Sequence, residues 1–251
     1  MKSLNTYITE GLADWGDDKS FGKKISKQTT KDAIKQEIIE WIESNTQDRI
    51  YKNKIKFDFS TSPITINYDG DIKYASSITS LTNGLFQWGE VRGYFYCAFS
   101  NITSLEGAPK GVSGNFSCDN CKLLTSLEGS PEKVGGCFNC SYCDSLKSLK
   151  GASKEVWFFE CRFCNSLASL EGAPEKVKDT FSCSHCQSLK SLKGGPEKVG
   201  GNFHCTRCPN LTSLEYAPKE VAGEFYCCNC GKKFTIDDVK KVSNVSGEIS
   251  C

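Results

Sequence analysis

The chain lacks any hydrophobic run that is long enough to cross a membrane. A transmembrane helix needs about 20 mostly apolar residues, whereas the densest apolar run of this chain covers only residues 156–159. An excess of charge of one sign is also lacking, because 31 Lys and Arg side chains oppose 30 Asp and Glu side chains. Balanced charge creates no global field that would attract nucleic acid or anionic lipid. We therefore expect neither a membrane nor a nucleic-acid partner.

Two further absences concern the N-terminal region. The first ten residues contain Asn5, Thr6 and Thr9 where a secretory signal needs an unbroken apolar segment. Without an export signal, a reducing compartment is expected, in which the 16 cysteines stay free or bind metal rather than form disulfides. No cysteine occurs before Cys97, whereas residues 97–230 hold 15 of them. This change in composition indicates two differently built regions.

The cysteine-rich region is an internal repeat. The consensus of one copy is F-x-C-x-x-C-x-x-L-x-S-L-x-G-x-P-x-x-V. A unit of this length that recurs so regularly predicts one coil of a solenoid, because each copy then buries its apolar face against the next. Within a copy, F-x-C predicts a short strand with one buried face, and Gly and Pro predict turns. The opening phenylalanines are 21 or 22 residues apart: Phe95, Phe116, Phe138, Phe159, Phe181, Phe203 and Phe225.

The segments on either side of the repeat predict caps. Ile34, Ile38 and Ile42 have helical spacing, and residues 55–59 and 64–68 alternate as strands do. A short capped helix is predicted near residues 235–242. We therefore divide the chain into four parts. They are a partly disordered leader and linker at residues 1–29, an N-terminal cap of helix and strands at 30–71, the repeat at 72–230, and a C-terminal cap and tail at 231–251.

The repeat resembles a leucine-rich repeat. Its frame V-x-x-x-F-x-C-x-x-C-x-x-L matches the pattern of that family with Phe and Cys at two leucine positions and with Pro after the Gly turn. Such cysteine-bearing variants are similar to those found in phage and bacterial reading frames. The resemblance implies an α+β protein, a right-handed parallel β-solenoid of about seven coils of about 22 residues, with an N-terminal helix and strand cap and a short C-terminal helical cap. It also implies a partner-binding surface without identifying the partner.

The C-x-x-C pairs of the repeat allow two main interpretations. Cys121 and Cys140 have 18 residues between them, as in zinc ribbons, whose thiolates bind Zn²⁺ tetrahedrally. Alternatively, each cysteine is a small apolar residue stacked about 4.8 Å from its counterpart in the next coil. Zinc shared between coils would impose a period of two coils, whereas the sequence has a period of one. We therefore favour a cysteine ladder without metal or cofactor, with zinc and then disulfides as alternatives.

Candidate binding residues flank the inward Phe and Cys of each coil. Their side chains are expected to point to solvent, and they vary from coil to coil. Exposed aromatic and Arg side chains are frequent anchors of protein interfaces. The binding strip predicted on this basis consists of Tyr94, Tyr96, Phe158, Glu160, Arg162, His204 and Tyr226.

The sequence does not indicate a catalytic site. Its two histidines, His185 and His204, have no Ser, Cys and Asp arrangement that spacing identifies, and no phosphate-binding loop is present. We therefore expect no catalytic residue and no enzymatic activity. If the chain is nevertheless a thiol-dependent or zinc-dependent enzyme, Cys137 and Cys228 are its candidate reactive thiols, because they leave the ladder columns.

The first eleven residues resemble the capsid-targeting peptide of internal head proteins of T-even-type phages. In that family an assembly protease cuts after the Glu of an Ile/Leu-x-Glu sequence that precedes a small residue. The match implies processing between Glu10 and Gly11, with Ile8 at the upstream position. An ordinary amphipathic first helix is the alternative. The resemblance implies packaging in the virion interior and delivery into the host cytoplasm.

These patterns lead to one functional hypothesis and two alternatives. We expect a non-enzymatic protein-interaction module, encoded by a phage, that binds a host protein such as a bacterial defence factor, with inhibition as one outcome of binding. The first alternative is an internal or structural virion protein that is packaged through its leader. The second is a zinc-binding or thiol-redox protein.

Overall fold

A computed structural model describes residues 27–251 of the chain. The predicted processing residues Glu10 and Gly11 lie outside the described residues. The architecture is a parallel β-solenoid of about eight coils with two α-helices in the described part. The predicted solenoid is therefore confirmed. It has about one coil more than the seven expected, because strands on either side of the Phe-based copies pair with the stack as well.

Each coil contributes one short strand to a nine-stranded parallel sheet, here called the Phe-side sheet. In every coil from Phe95 to Phe225, the phenylalanine of the repeat pairs with the phenylalanine of the next coil. Its strands are β3 (Ile72–Lys73), β5 (Phe95–Tyr96), β7 (Phe116–Ser117), β9 (Cys137–Asn139), β11 (Phe158–Glu160), β13 (Phe181–Ser182), β15 (Phe203–His204), β17 (Phe225–Tyr226) and β19 (Ile249–Ser250).

A neighbouring side of the solenoid, joined to the Phe-side sheet by a short corner, carries two five-stranded sheets, here called the Val-side sheets. The first consists of β1 (Ile55–Asp58), β2 (Ile64–Tyr68), β4 (Phe86–Val91), β6 (Gly111–Val112) and β8 (Lys133–Val134). The second consists of β10 (Glu155–Val156), β12 (Lys176–Val177), β14 (Lys198–Val199), β16 (Glu220–Val221) and β18 (Asn244–Val245). The division between β8 and β10 coincides with a shortened corner, in which Val156 and Phe159 are three positions apart instead of four.

The phenylalanines form a continuous ladder through the core. All seven rings are fully buried, and the centroids of successive rings are 5.0–5.8 Å apart. Because an inward residue in one coil meets the same residue type in the next, a single pattern of side chains fills the whole interior. Burial of each aromatic ring supplies several kcal/mol of hydrophobic stabilisation, on the order of ~2–3 kcal/mol.

The cysteines form the predicted ladder beside the phenylalanines. All 16 are free thiols, and 12 of them are buried. The second cysteine of each C-x-x-C pair donates its S–H to the backbone oxygen of the first cysteine position in the preceding coil, at 3.0–3.3 Å. Thiols are weak donors, so these bonds satisfy the buried carbonyl groups rather than dominate stability. The side-chain columns therefore behave as small apolar packing units.

Two caps cover the ends of the described solenoid. Helix α1 (Lys27–Asn45) buries Ile38 and Ile42, and the Trp41 ring contacts Phe86 at a centroid distance of 5.6 Å. A 3₁₀ turn at Lys52–Lys54 leads into β1, which pairs with β2 in antiparallel fashion. At the other end, α2 (Ile236–Lys240) begins with a capping box between Thr235 and Asp238. No helix in the range 27–251 is long and apolar enough to span a membrane.

Candidate functional site

The structure places the predicted binding strip on the outer side of the Phe-side sheet. Tyr94 is 44% exposed, Phe158 is 39% exposed, and Arg162 is exposed. The other four strip residues are half-buried, because each packs between side chains of the neighbouring coils: Tyr96, Glu160, His204 and Tyr226. The outward orientation follows from strand geometry, since the residues between them are the inward Phe and Cys.

The strip is not one continuous aromatic surface. Tyr94 and Tyr96 pack together at a centroid distance of 5.8 Å. Near the C-terminal end of the sheet, the rings of His204 in β15 and Tyr226 in β17 stack almost parallel, with centroids 4.5 Å apart. Between His204 and Glu160 the same column holds Ser182, which is buried and small. The strip therefore consists of separate clusters, and its predicted residues do not all act as one site.

A second column of outward residues lies immediately after the Phe-side strands. It is formed by the residue that precedes the second cysteine position of each coil, and we call it the corner ladder. All seven members have left-handed backbone angles, with φ between 56° and 64°. The members are Phe99, Asn120, Tyr142, Phe163, His185, Arg207 and Asn229.

Three adjacent members of the corner ladder form a stack of rings, here called the aromatic corner. The Tyr142 and Phe163 rings lie 4.6 Å apart with an interplanar angle of 8°. The Phe163 and His185 rings lie 4.1 Å apart with an angle of 17°. Tyr142 remains 42% exposed despite this contact. The three coils thus present a flat, preformed aromatic surface at one edge of the solenoid.

The backbone of the aromatic corner is costly for the residues that occupy it. A left-handed conformation costs an ordinary L-residue roughly 1–2 kcal/mol, whereas Asn adopts it readily. Asn120 and Asn229 occupy the same column, so Asn, which adopts this conformation at a lower energy cost, also fits the coil. Strained conformations of this kind cluster at binding and catalytic sites. The aromatic side chains, rather than backbone preference, are therefore what Tyr142 and Phe163 contribute.

Cationic side chains flank the aromatic corner. The Arg162 guanidinium lies 6.0 Å from the Phe163 ring, and Arg207 follows His185 in the corner ladder. The Lys122 ammonium is 6.0 Å from the Tyr142 ring and forms an ion pair of 2.8 Å with Asp144. The ion pairs along the stack join lysines to carboxylates, and neither arginine takes part in one among the described residues. Both guanidinium groups are therefore free to pair with a partner.

The two histidines of this surface are held in their neutral form. Burial lowers the pKa of His185, and the nearby charges of Arg207 and Arg162 lower it further. Burial also lowers the pKa of His204, with Arg162 adding to the effect and Glu224 opposing it. A neutral imidazole stacks on an aromatic ring without bringing a third positive charge between the arginines. The positive charge of the surface at neutral pH is thus confined to the arginines and Lys122.

Sequence reasoning missed Tyr142 and Phe163 and identified only their neighbour Arg162. The available signal was the column itself, because the residue before the second cysteine is Phe, Tyr, Phe and His in four of seven coils. We interpreted outward positions from the period-two alternation of strands, and that alternation ends where the strand ends. The corner residues point outward for another reason, namely the left-handed turn.

One of the two candidate reactive thiols lacks the properties of an activated thiol. Cys137 is half-buried, and burial raises its pKa to about 12, which is the opposite of an activated thiol. Cys228 is half-buried, with its Sγ 3.3 Å from the Ser250 hydroxyl. The thiol in this region whose pKa is lowered is that of the ladder residue Cys230. Its pKa falls to about 7, chiefly because of its hydrogen bond with the Cys205 thiol. Its S–H also donates to the Cys205 carbonyl at 3.0 Å, which opposes ionisation.

The described residues hold no group of three or more His, Cys, Asp or Glu side chains placed to bind a metal ion. Comparisons with known proteins give no relative from which a function can be transferred. No family model, no curated protein and no solved structure matches the chain. The geometry of the aromatic corner and its flanking cations is therefore the basis on which a function is inferred.

Proposed function

We propose that the protein is a non-enzymatic protein-binding module and that the aromatic corner, with Arg162 and Arg207, is its main contact surface. One observation carries the proposal, namely the stack of Tyr142, Phe163 and His185 at left-handed positions. Aromatic and Arg side chains dominate the binding energy of protein interfaces. The backbone hydrogen bonds between coils hold these side chains in place before a partner arrives, which reduces the entropy cost of binding.

The chemistry of the surface favours a protein partner over a nucleic acid. The arginines can pair with carboxylates, and the rings can pack against apolar or aromatic side chains. Asp144 and Glu160 lie in the same coils, however, and Asp119 lies in the preceding coil, so that these carboxylates would repel a phosphate backbone. Surfaces that bind nucleic acid instead carry a stripe of cations. We infer a partner segment that combines acidic and apolar side chains.

The proposed source of the protein is a phage, and its proposed partner is a host protein. The resemblance of the first eleven residues to a phage capsid-targeting peptide supports a phage-encoded protein that acts on a host protein, such as a bacterial defence factor. The same peptide favours the alternative of an internal virion protein. Mass spectrometry of purified particles separates the two. A chain that begins at Gly11 inside particles supports packaging, and an intact Met1 together with absence from particles contradicts it.

The binding surface is tested by quantitative pull-down from bacterial lysate, followed by titration of the captured protein. We expect Phe163→Ala to weaken binding by roughly 10-fold or more, as for an interface hot spot. Tyr216→Ala is the matched control. Tyr216 is another exposed aromatic residue with positive φ, 67°, but it lies at a different corner of its coil. We expect this control to bind as the unmodified chain does.

A comparison with the predicted strip locates the surface more closely. A variant that carries Tyr96→Ala, Phe158→Ala and Tyr226→Ala should keep most of the binding, because these residues lie outside the aromatic corner. If the strip variant loses the partner while the Phe163 variant keeps it, the aromatic corner is not the contact surface. If both variants and the unmodified chain recover the same proteins equally, neither surface binds them.

A further inference from the structure

The thiol ladder changes its bonding pattern in the last described coils. In four earlier coils, the thiol at the first cysteine position donates to a backbone oxygen of the next coil. Cys161 bonds in this way to Ser182, and Cys183 bonds to His204, both at 3.5 Å. Cys227 instead has its Sγ 3.4 Å from the Sγ of Cys251. Two thiols therefore face each other directly at this position of the stack.

The register of the strands places these two cysteines opposite each other. Tyr226 of β17 pairs with Ser250 of β19, and the Cys227 amide donates to the Ser250 carbonyl at 2.9 Å. Adjacent strands lie about 4.8 Å apart, within the range of about 4.4–6.8 Å that a disulfide requires between its Cα atoms. The two sulfur atoms need to approach by less than 2 Å to reach the bonded distance of about 2.05 Å. The backbone therefore does not have to move far.

One thiol of the pair is accessible, unlike the interior rungs, whereas Cys227 itself is buried. Cys227, Cys228, Cys230 and Cys251 line a cleft of about 260 Å³ that Phe234 and Lys233 complete. Cys251 is exposed. The interior ladder cysteines, such as Cys161 and Cys183, have no exposed surface. A small reagent can therefore reach this end of the ladder and not its centre. The Lys233 ammonium beside the cleft favours a reagent that carries carboxylates.

We propose that Cys227 and Cys251 form a thiol–disulfide exchange site for a small, anionic disulfide of the oxidised-glutathione class. Cys251 gives its proton to water, and its thiolate attacks one sulfur of the reagent. The S–S bond of the reagent breaks and one thiolate leaves. Burial raises the pKa of the Cys227 thiol, so Cys227 gives its proton to water only as it attacks the Cys251 sulfur held 3.4 Å away, and the second thiolate leaves. Two protein thiols are oxidised to one disulfide, and the reagent is reduced to two thiols.

The disulfide would change the end of the solenoid rather than its interior. It would join β19 to β17 covalently, so that the strand at the edge of the Phe-side sheet no longer frays independently. We expect the oxidised protein to show slower amide exchange in residues 244–251 than the reduced protein. His185, the nearest ring of the aromatic corner, lies two coils from Cys227, and Arg207 lies in the coil between them. Binding at the aromatic corner is expected to be unchanged. Failure of the exchange site therefore leaves the proposed binding function intact.

The test is incubation of the folded full chain with oxidised glutathione, followed by alkylation and peptide mapping without reductant. We expect the intact mass to fall by two hydrogens before alkylation, and fragment ions of the alkylated protein to join Cys227 to Cys251. Cys227→Ser should instead retain one glutathionyl group on Cys251, because the resolving thiol is missing. Cys228→Ser is the matched control and should still form the Cys227–Cys251 bond.

The map of the unmodified chain decides the pairing without any variant. A disulfide that involves Cys228 or Cys230 in place of Cys227 would overturn the proposal, and so would complete alkylation of both proposed partners. A Cys227→Ser chain that takes up no glutathionyl group on Cys251 would show that Cys251 is not the attacking thiol, and it would overturn the reaction sequence. Interior cysteines serve as an internal reference and should remain unoxidised.

Discussion

Neighbouring phenylalanines in one strand occupy opposite environments. Phe159 is fully buried in the phenylalanine ladder, whereas Phe158 is 39% exposed on the outer face. Both belong to β11, so their difference comes from the alternation of side chains along a strand and not from local composition. The pair therefore offers a direct comparison of core packing with surface exposure at almost the same place.

We predict that Phe159→Ala lowers the free energy of unfolding by about 3–5 kcal/mol, since it removes a ring that contacts both neighbouring rungs. Phe158→Ala should lower it by less than about 1 kcal/mol. Urea denaturation followed by circular dichroism measures both values. Equal destabilisation by the two substitutions would contradict the inward position of the Phe159 ring.

The two histidines predict how stability depends on pH. Both have a pKa below the ordinary value of 6.5 in the folded protein, so the unfolded chain binds more protons as the pH falls. The contribution of the two histidines to the free energy of unfolding is fully present above about pH 6.5 and is lost as the pH falls below that value. Thermal unfolding at pH 7.5 and pH 5.5 should therefore show lower stability at the acidic pH, and the difference should shrink when His185→Gln and His204→Gln are combined. An unchanged difference would contradict this assignment.

At the scale of the structural element, the strand was predictable and the corner was not. The alternation in F-x-C identifies which side chains enter the core, because strand geometry has a period of two. The left-handed angle at Phe163 has no such local signal, since Phe, Tyr and Arg do not favour positive φ. Only the requirement that each coil turn at the same place fixes this angle. The outward orientation of the candidate site residues is therefore set by the stacking of the coils and could not be read from the strand pattern.

Arg207 tests the cost of the left-handed corner. Arg207→Asn places a residue that tolerates positive φ in a position where Asn120 and Asn229 already fit the coil. We predict that the free energy of unfolding rises by about 1 kcal/mol, while recovery of the partner in the pull-down decreases. Chemical denaturation and titration of the same preparation measure the two effects. Lower stability together with unchanged binding would contradict the assigned role of Arg207.

At the scale of the whole molecule, the coils are nearly equivalent units. Phe181 pairs with Phe203, and Phe203 pairs with Phe225 in the same register. Removal of one complete coil should therefore bring equivalent residues together again. The repeat length and its start at residue 72 were readable from the sequence, whereas the last strand of the stack was missed because Ile249 occupies the Phe position there. Degenerate copies escape a motif search although they preserve the hydrogen bonding.

Deletion of residues 182–203 joins Phe181 to His204 and removes one coil. We predict a folded chain whose unfolding stays cooperative and whose denaturant m-value falls by about one tenth, in proportion to the surface lost. Deletion of residues 182–202 is the control. It joins Phe181 to Phe203 and leaves one residue too many in the corner between Val177 and Phe203, so this chain should be less stable than the first deletion. If the two deletions behave alike, the coils are not equivalent in the way described.

The left-handed corner separates what holds the protein together from what it displays. Because its backbone angle is imposed by the coils on either side, residues as different as Asn, Phe, His and Arg occupy it with the same φ. Each position of the column therefore accepts different side chains. A substitution there changes the chemistry of the solenoid edge without repacking the interior. A library randomised only at these seven positions would sample new specificities on one unaltered scaffold.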